Sequence, residues 1–105
     1  MKNTILNLLY KYKAIDIKII KLDDLYNFTD TIIIATGSSK KHIDSISDNI
    51  IKNLKDNKNI NFTISGKNTY WIIIDIGEVV IHIMSNYLRE YYQIEMLWSE
   101  SNLNT

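Results

Sequence analysis

The chain of 105 residues contains no cysteine. This absence excludes disulfide bonds, thiolate catalysis and every metal site that uses cysteine ligands. Only two histidines are present, so no third histidine is available to complete a metal site. Proline is absent as well, and this bias supports no structural conclusion. The composition therefore removes cysteine chemistry and metal sites that need three histidines from the expected functions.

An excess of either charge is also missing, because 12 lysine and arginine residues balance 12 aspartate and glutamate residues. Proteins that hold nucleic acid mainly through its phosphates usually carry a basic excess. Bulk RNA or DNA binding is therefore not the first expectation. A local basic patch is still compatible with a net charge of zero.

No uninterrupted apolar run is long enough for a signal peptide or a membrane span. Polar or charged residues interrupt the first 20 positions at Asn7, Tyr10, Lys11 and Lys13. We therefore expect a cytoplasmic protein without a membrane segment. A hydrophobic content of 46% in a chain of this length predicts one domain over residues 1–99, followed by a polar tail at 100–105.

The apolar pattern predicts an α/β fold. Ile5, Leu8, Leu9 and Tyr12 recur at helical spacing, which indicates a short helix over residues 3–13. A second helix is expected from Ser38 or Ser39 to about Asn57, and one or two helices follow residue 86. Strands are predicted at 16–22, 29–36, 60–65, 71–76 and 79–84. Together they predict a mixed sheet of about five strands with helices packed on it.

Two unlike faces are predicted for the hairpin that turns at Gly77-Glu78. One face is aliphatic and is expected to lie under helices, with the opposed pairs Ile76–Val79, Ile74–Ile81 and Ile72–Ile83. The other face carries the pairs Trp71–Met84, Ile73–His82 and Asp75–Val80. This second face is either another core layer with the tryptophan at its edge or a docking surface, and periodicity alone leaves both open.

The turn TGSSKKH at residues 36–42 has the form of a strand-to-helix turn that can hold a phosphate. Metal-dependent nucleotidyl transfer would also require two aspartates at i and i+2 on a strand, and the chain contains no Asp-x-Asp. The lysine and glycine spacing of a P-loop is missing too. We therefore expect Gly37 to serve a tight turn, a serine to cap the helix and His42 to be solvated. A nucleotide-binding protein that uses Gly37, Ser38 and Lys40-Lys41 is the alternative.

Three stretches resemble the ribosomal silencing factor family, also called the RsfS or Iojap family. They are TDTIIIATGSSKKHIDSI from residue 29, WIIIDIGEVVIHIM from residue 71 and REYYQIEMLW from residue 89. The resemblance covers about residues 3 to 99, in the same order and at nearly the same spacings. It departs at Ser65-Gly66, where the family usually has Glu-Gly, and the connection from there to Trp71 is one residue shorter.

The resemblance implies a nucleotidyltransferase-like topology without the catalytic carboxylates. It implies a protein that is not an enzyme and that uses no cofactor, metal or small-molecule substrate. The expected partner is the large ribosomal subunit, contacted through its protein number fourteen, so that joining of the small subunit is blocked and translation is repressed when nutrients are short. Lys40 and Lys41 are expected to make at most a minor contact with ribosomal RNA. The free protein is expected to be a monomer or a weak homodimer.

The same resemblance predicts which residues contact the partner. Trp71 is the expected anchor, and His82 and Met84 share its face of the sheet. The other positions that match the family motifs are Thr29, Asp30, Asp75, Arg89 and Tyr92. Structural roles are expected for Gly37, Gly77 and Trp98.

Overall fold

The fold was taken from a computed structural model, which describes residues 1–22, 29–57 and 59–97. The helices and strands in chain order are α1 Lys2–Lys11, β1 Ile15–Lys21, β2 Thr31–Thr36, α2 Lys40–Asp56, β3 Thr63–Ser65, β4 Trp71–Asp75, β5 Val79–Met84 and α3 Asn86–Tyr92. The segment 23–28 between the first two predicted strands, Trp98 and the predicted polar tail lie outside the described residues. Within the described part, no helix is both long and apolar enough to cross a membrane.

The five strands form one mixed sheet in the order β1-β2-β5-β4-β3. Its central pair, β2 with β5, is parallel, and the other three pairs are antiparallel. The expected α/β fold with a mixed five-stranded sheet is thus confirmed. All six residues of β2 are buried, as the unbroken apolar run predicts for a strand covered on both faces. The nucleotidyltransferase-like topology stays a prediction from the resemblance.

A large aliphatic core lies between the two long helices and one face of the sheet. On α2, Ile43, Ile46, Ile50 and Leu54 recur at the spacing of one helical face and are all buried. They pack against sheet residues and against two residues of α1, and the members from outside α2 are Ile5, Leu9, Ile33, Ala35, Ile72, Ile74, Val79, Ile81 and Ile83. Burial of this aliphatic surface is the main stabilising contribution to the fold.

A smaller core lies on the opposite face of the sheet. Its buried members are Ile20, Ile32, Ile34, Met84 and Ile94, and Leu22, Trp71 and Leu88 pack at its border. The predicted hairpin register is confirmed, because Trp71 pairs with Met84, Ile73 with His82 and Asp75 with Val80. The inner part of this face is therefore a second core layer, and Trp71 lies at its edge.

The C-terminal helical segment is divided into two pieces at Gln93. This residue ends α3 in a left-handed conformation, with φ 47° and ψ 48°, and residues 94–97 are helical again. The sequence predicts either one or two helices here, because only the backbone conformation of Gln93 decides between these alternatives. The break allows Ile94 to enter the smaller core.

Gly37 is required by the close approach of α2 to the end of β2. A Cβ atom at this position would lie 2.5 Å from Cγ1 of Ile43 and 3.0 Å from its backbone nitrogen. The residue does not have a positive φ, unlike Gly66 and Gly77. The requirement for glycine at this turn therefore comes from packing against Ile43 and not from a backbone conformation that only glycine adopts.

We expect Gly37→Ala to lower the free energy of unfolding by about 1–3 kcal/mol, because the added methyl overpacks the contact with Ile43. Denaturation with urea provides the measurement. Ser45→Ala, on the exposed side of α2, is the control and should change stability by less than about 0.5 kcal/mol. Equal stability of Gly37→Ala and the control would contradict the packing explanation.

Candidate functional site

Four aromatic side chains form a continuous row from the end of the sheet along α3. The ring centroids of Trp71 and Tyr92 lie 5.3 Å apart, those of Tyr92 and Tyr91 4.9 Å, and those of Tyr91 and Tyr87 6.3 Å. These distances are typical of favourable aromatic pairs. We call Trp71, Tyr92, Tyr91 and Tyr87 the aromatic ridge.

The aromatic ridge faces outward. Tyr87 is 73% exposed and Tyr91 is 69% exposed. No residue of α3 is buried, and Met96 and Leu97 just beyond it are also exposed. The sequence reasoning missed Tyr87, although its spacing of four residues from Tyr91 already places the two rings side by side on a helix. Large exposed apolar side chains gathered in one place are typical of a docking surface.

Trp71 is joined to His82 as well as to the ridge. Its indole Nε1–H donates a hydrogen bond to Nδ1 of His82 over 3.0 Å, and the two ring centroids lie 6.0 Å apart. His82 is only 8% exposed, and burial lowers its pKa from 6.5 to about 4. The imidazole is therefore neutral at pH 7. Met84, the strand partner of Trp71, is completely buried and forms part of the support beneath the tryptophan.

Arg89, the only arginine in the chain, connects α3 to the sheet. Its Nη1 donates to the carbonyl oxygen of Asp16, at the irregularity in β1, and to Oγ1 of Thr36 over 3.0 Å. Its Nε lies 3.5 Å from a carboxylate oxygen of Glu95, and the side chain is only 11% exposed. Arg89 thus holds α3 in place, and little of it remains available to a partner.

At the opposite end of the sheet, Thr29 and Asp75 hold the β4–β5 turn. Oγ1 of Thr29 donates to the carbonyl oxygen of Gly77 over 2.9 Å, and a carboxylate oxygen of Asp75 accepts the Gly77 N–H over 2.8 Å. The N–H groups of Asp30 and Thr31 both donate to the carbonyl oxygen of Glu78. Thr29-Asp30 and Asp75 to Gly77, which belong to two separate stretches that match the family, are therefore parts of one hydrogen-bonded turn.

The eight predicted contact residues consequently lie in two places. The register of β2 and β5 extends from Thr31–Val79 to Thr36–Met84, a distance of about 16 Å along the strands. One end carries Trp71, Met84, Arg89 and Tyr92, with His82 beneath the indole, and the other end carries Thr29, Asp30 and Asp75. The exposed aromatic side chains belong to the first end only.

The turn after β2 uses its polar groups internally. Oγ of Ser39 accepts the N–H of His42 over 3.0 Å and so caps α2. The ring of His42 accepts the Ser38 N–H at Nδ1 and contacts the carbonyl oxygen of Tyr12 through Nε2, both over 2.8 Å. The expectation that His42 is solvated was wrong, because the ring links the end of α1 to the start of α2. Among the described residues, no group of three histidine, aspartate or glutamate side chains is placed to hold a metal.

Similarity to known proteins identifies the family to which the chain belongs. The model of the family described as ribosomal silencing factor during starvation (RsfS) matches residues 1–105. The chain belongs to the RsfS family. It is 40% identical to ribosomal silencing factor RsfS of Haemophilus influenzae over 74 residues, which are 70% of this chain and 72% of that protein.

Other relatives extend the similarity to organelles and to solved structures. The mouse protein named mitochondrial assembly of ribosomal large subunit protein 1 is 31% identical over 90% of this chain and 43% of its own length. A crystal structure from Chromobacterium violaceum superimposes with a TM-score of 0.85 at 27% identity, over 93% of this chain and 82% of that one. One from Bacillus halodurans gives 0.77 at 26% identity, over 91% and 90%.

The connection from Gly66 to Tyr70, where the sequence predicts a departure from the family pattern, positions Trp71 through hydrogen bonds and close backbone contacts. Gly66 has a φ of +76°, and a Cβ atom there would lie 2.0 Å from the carbonyl oxygen of Trp71. The Trp71 N–H donates to Oγ1 of Thr69 over 3.2 Å, and the Tyr70 carbonyl oxygen accepts the Ser85 N–H over 2.9 Å. The short connection therefore fixes the start of β4 tightly.

The lowered pKa of His82 makes stability depend on pH. Between pH 6.5 and about 4 the unfolded chain binds a proton at His82 that the folded chain refuses, so folding stability falls as the pH falls. The contribution is complete above pH 6.5, and its loss by pH 4 amounts to about 3 kcal/mol.

The check is urea denaturation of the wild type and of His82→Gln at several pH values. Carboxylates titrate in both proteins and cancel in the difference between them. We expect the free energy of unfolding of the wild type to fall relative to His82→Gln by about 3 kcal/mol from pH 7 to pH 4. A constant difference would contradict the lowered pKa.

Arg89→Lys should lower the free energy of unfolding by about 2 kcal/mol, because an ammonium group cannot reproduce the guanidinium fork on Asp16, Thr36 and Glu95. Thermal or urea unfolding measures the change. Glu90→Gln, an exposed substitution on the same helix, is the matched control and should be within about 0.5 kcal/mol of the wild type.

Proposed function

We propose that this chain is a ribosomal silencing factor that binds the large ribosomal subunit through its protein number fourteen. By covering the face that meets the small subunit, the bound protein would prevent the two subunits from joining and so repress translation under nutrient limitation. Membership of the RsfS family supports the ribosomal role. The exposed aromatic ridge is the observation that supports a docking surface for the large subunit. Steric exclusion needs no covalent step, cofactor or substrate, so we propose a role without enzymatic activity.

The chemistry of the aromatic ridge suits a protein partner. Tryptophan and tyrosine dominate the energetic centres of protein interfaces, since they present large rigid surfaces at a low cost in conformational entropy. Trp71 is half-buried and held by His82 and Tyr92, so its exposed edge is already ordered before binding. An ordered anchor loses little entropy on docking, which favours affinity.

The distribution of charge on this chain also favours a protein over RNA as the binding partner. The net charge is zero, and Lys40 is paired with Asp44 on α2 at 3.3 Å. Lys41 is exposed and is the residue we assign to a minor contact with ribosomal RNA. A contact between one lysine and RNA phosphate contributes little to affinity, so we expect the affinity for the large subunit to depend only weakly on salt concentration.

We propose that the free protein is a cytoplasmic monomer or weak homodimer. A surface that must remain available to the ribosome cannot be occupied by a tight self-interaction. Because copies of the chain would compete with the ribosome for the ridge, weak association would be compatible with function and strong association would not.

The proposed function is tested by co-sedimentation with isolated large subunits, followed by addition of small subunits. We expect the protein to travel with the large subunit and the joined particle to decrease. Adding the protein after the subunits have joined provides the comparison, since steric exclusion acts before joining. Sedimentation with neither subunit would overturn the proposal.

Within this assay, Trp71→Ala should weaken binding to the large subunit by about 2 kcal/mol or more, as expected for truncation of an interface anchor. Circular dichroism establishes that the variant is folded. Tyr10→Ala is the control, because Tyr10 is an aromatic residue on α1 that is about as exposed as Tyr91 of the ridge and is not part of the ridge. Wild-type affinity in Trp71→Ala, whether or not Tyr10→Ala binds more weakly, would count against the aromatic ridge as the docking surface.

One observation favours the alternative function as a nucleotide-binding protein. An open groove of about 490 Å³ lies beside the turn after β2, and its lining includes Thr36, Gly37, Ser38, Ser39 and Tyr87. The polar groups of the turn are nevertheless used in the cap of α2 and by His42. Calorimetric titration with nucleoside triphosphates and magnesium distinguishes the two functions, and we expect no heat of binding.

A further inference from the structure

The indole of Trp71 is hydrogen-bonded to a residue that is not its strand partner. In the β4–β5 register Trp71 lies opposite Met84, and His82 lies opposite Ile73. His82 is therefore the diagonal neighbour of Trp71, a relation that brings large side chains within reach on one face of a sheet. The indole uses this reach, because its Nε1–H meets Nδ1 of His82 over 3.0 Å.

The direction of this hydrogen bond defines the state of the histidine. An indole nitrogen can only donate, so Nδ1 of His82 must be the acceptor and must carry no proton. The ring is then the neutral tautomer with its proton on Nε2. Burial supports this state, since His82 is 8% exposed and its lowered pKa disfavours the charged form.

We propose that His82 is a positioning residue whose Nδ1 fixes the Trp71 indole in the orientation that completes the aromatic ridge. This inference rests on the proposed function only where it concerns ribosome binding. His82 itself is too buried to offer much surface to a partner, so it acts through the tryptophan.

The other contacts of the indole do not define its rotation as closely. Tyr92 meets it ring to ring at 5.3 Å and a tilt of 44°, and such contacts tolerate a range of angles. A hydrogen bond weakens steeply when its angle departs from linearity. The bond to His82 is therefore the contact that selects one rotamer of the half-exposed tryptophan.

The first test uses the wild-type protein. Nitrogen chemical shifts of His82, measured by NMR near pH 7, report which ring nitrogen carries the proton. We expect protonation at Nε2 alone. A proton on Nδ1 would overturn the inference, because such a nitrogen cannot accept from the indole.

The second test follows the Trp71 indole signal, which is assigned by its loss in Trp71→Phe. In His82→Leu, which removes the acceptor, the indole N–H should exchange with solvent about five- to tenfold faster, and its contacts with Tyr92 should weaken. His82→Gln retains an acceptor oxygen and should restore the signal to within about twofold of the wild type. Val80→Ala, which removes apolar volume from the same face of β5, is the control and should leave the indole unchanged.

Two results of this experiment would overturn the inference. One is an unchanged indole signal in folded His82→Leu. The other is an equal effect of Val80→Ala, with no rescue by glutamine, which would reduce His82 to an ordinary core residue. If His82→Leu does not fold, the wild-type tautomer and the His82→Gln variant still decide the question.

Binding to large subunits supplies the third test. We expect His82→Leu to bind about five- to tenfold more weakly than the wild type and His82→Gln to bind nearly as well. Wild-type affinity in Trp71→Ala would contradict the proposed docking surface. The role of His82 would then still be tested by the indole measurements, which use the free protein. Weak binding by Trp71→Ala with full binding by His82→Leu would overturn the positioning role alone.

Discussion

Parallel pairing of β2 with β5 at the centre of the sheet decides where the other elements lie. Two parallel neighbours cannot be joined by a tight turn, so the chain must leave the sheet after β2 and return. It does so through α2, and β3 and β4 then extend the sheet on the far side of β5. Because β2 is buried on both faces, each face needs its own cover.

The helices that cover the two faces differ in how many apolar side chains they bury, and the aromatic ridge results from this difference. On one face α2 contributes a full stripe of buried aliphatic residues. On the other face α3 has seven residues, none of them buried, and it relies on Leu88 at the border of the smaller core and on the bonds of Arg89. A short helix held in this way leaves aromatic side chains on the outside, where a partner can bury them.

Several motif residues serve this framework more than they serve contact with a partner. Arg89 holds α3, Thr29 and Asp75 hold the turn at Gly77, and His42 joins the two long helices. The nucleotide-like appearance of the turn after β2 has the same origin. Its glycine makes room for Ile43, and Ser39 caps a helix. A motif that looks chemical in the sequence can thus be a set of structural hydrogen bonds.

The sequence by itself determined the order of helices and strands, the buried centre of the sheet and the register of the β4–β5 hairpin. Those features follow from local apolar periodicity and from a two-residue turn, which are properties of neighbouring residues. Only the tertiary structure decided the break at Gln93, the internal hydrogen bonds of His42 and Arg89, and the burial of Met84. It also brought His82 to the indole of Trp71 and lined up the tyrosines of α3 with that ring. Each of these depends on how close separate elements approach, and side-chain burial and hydrogen bonding across such distances are set by packing and not by local pattern.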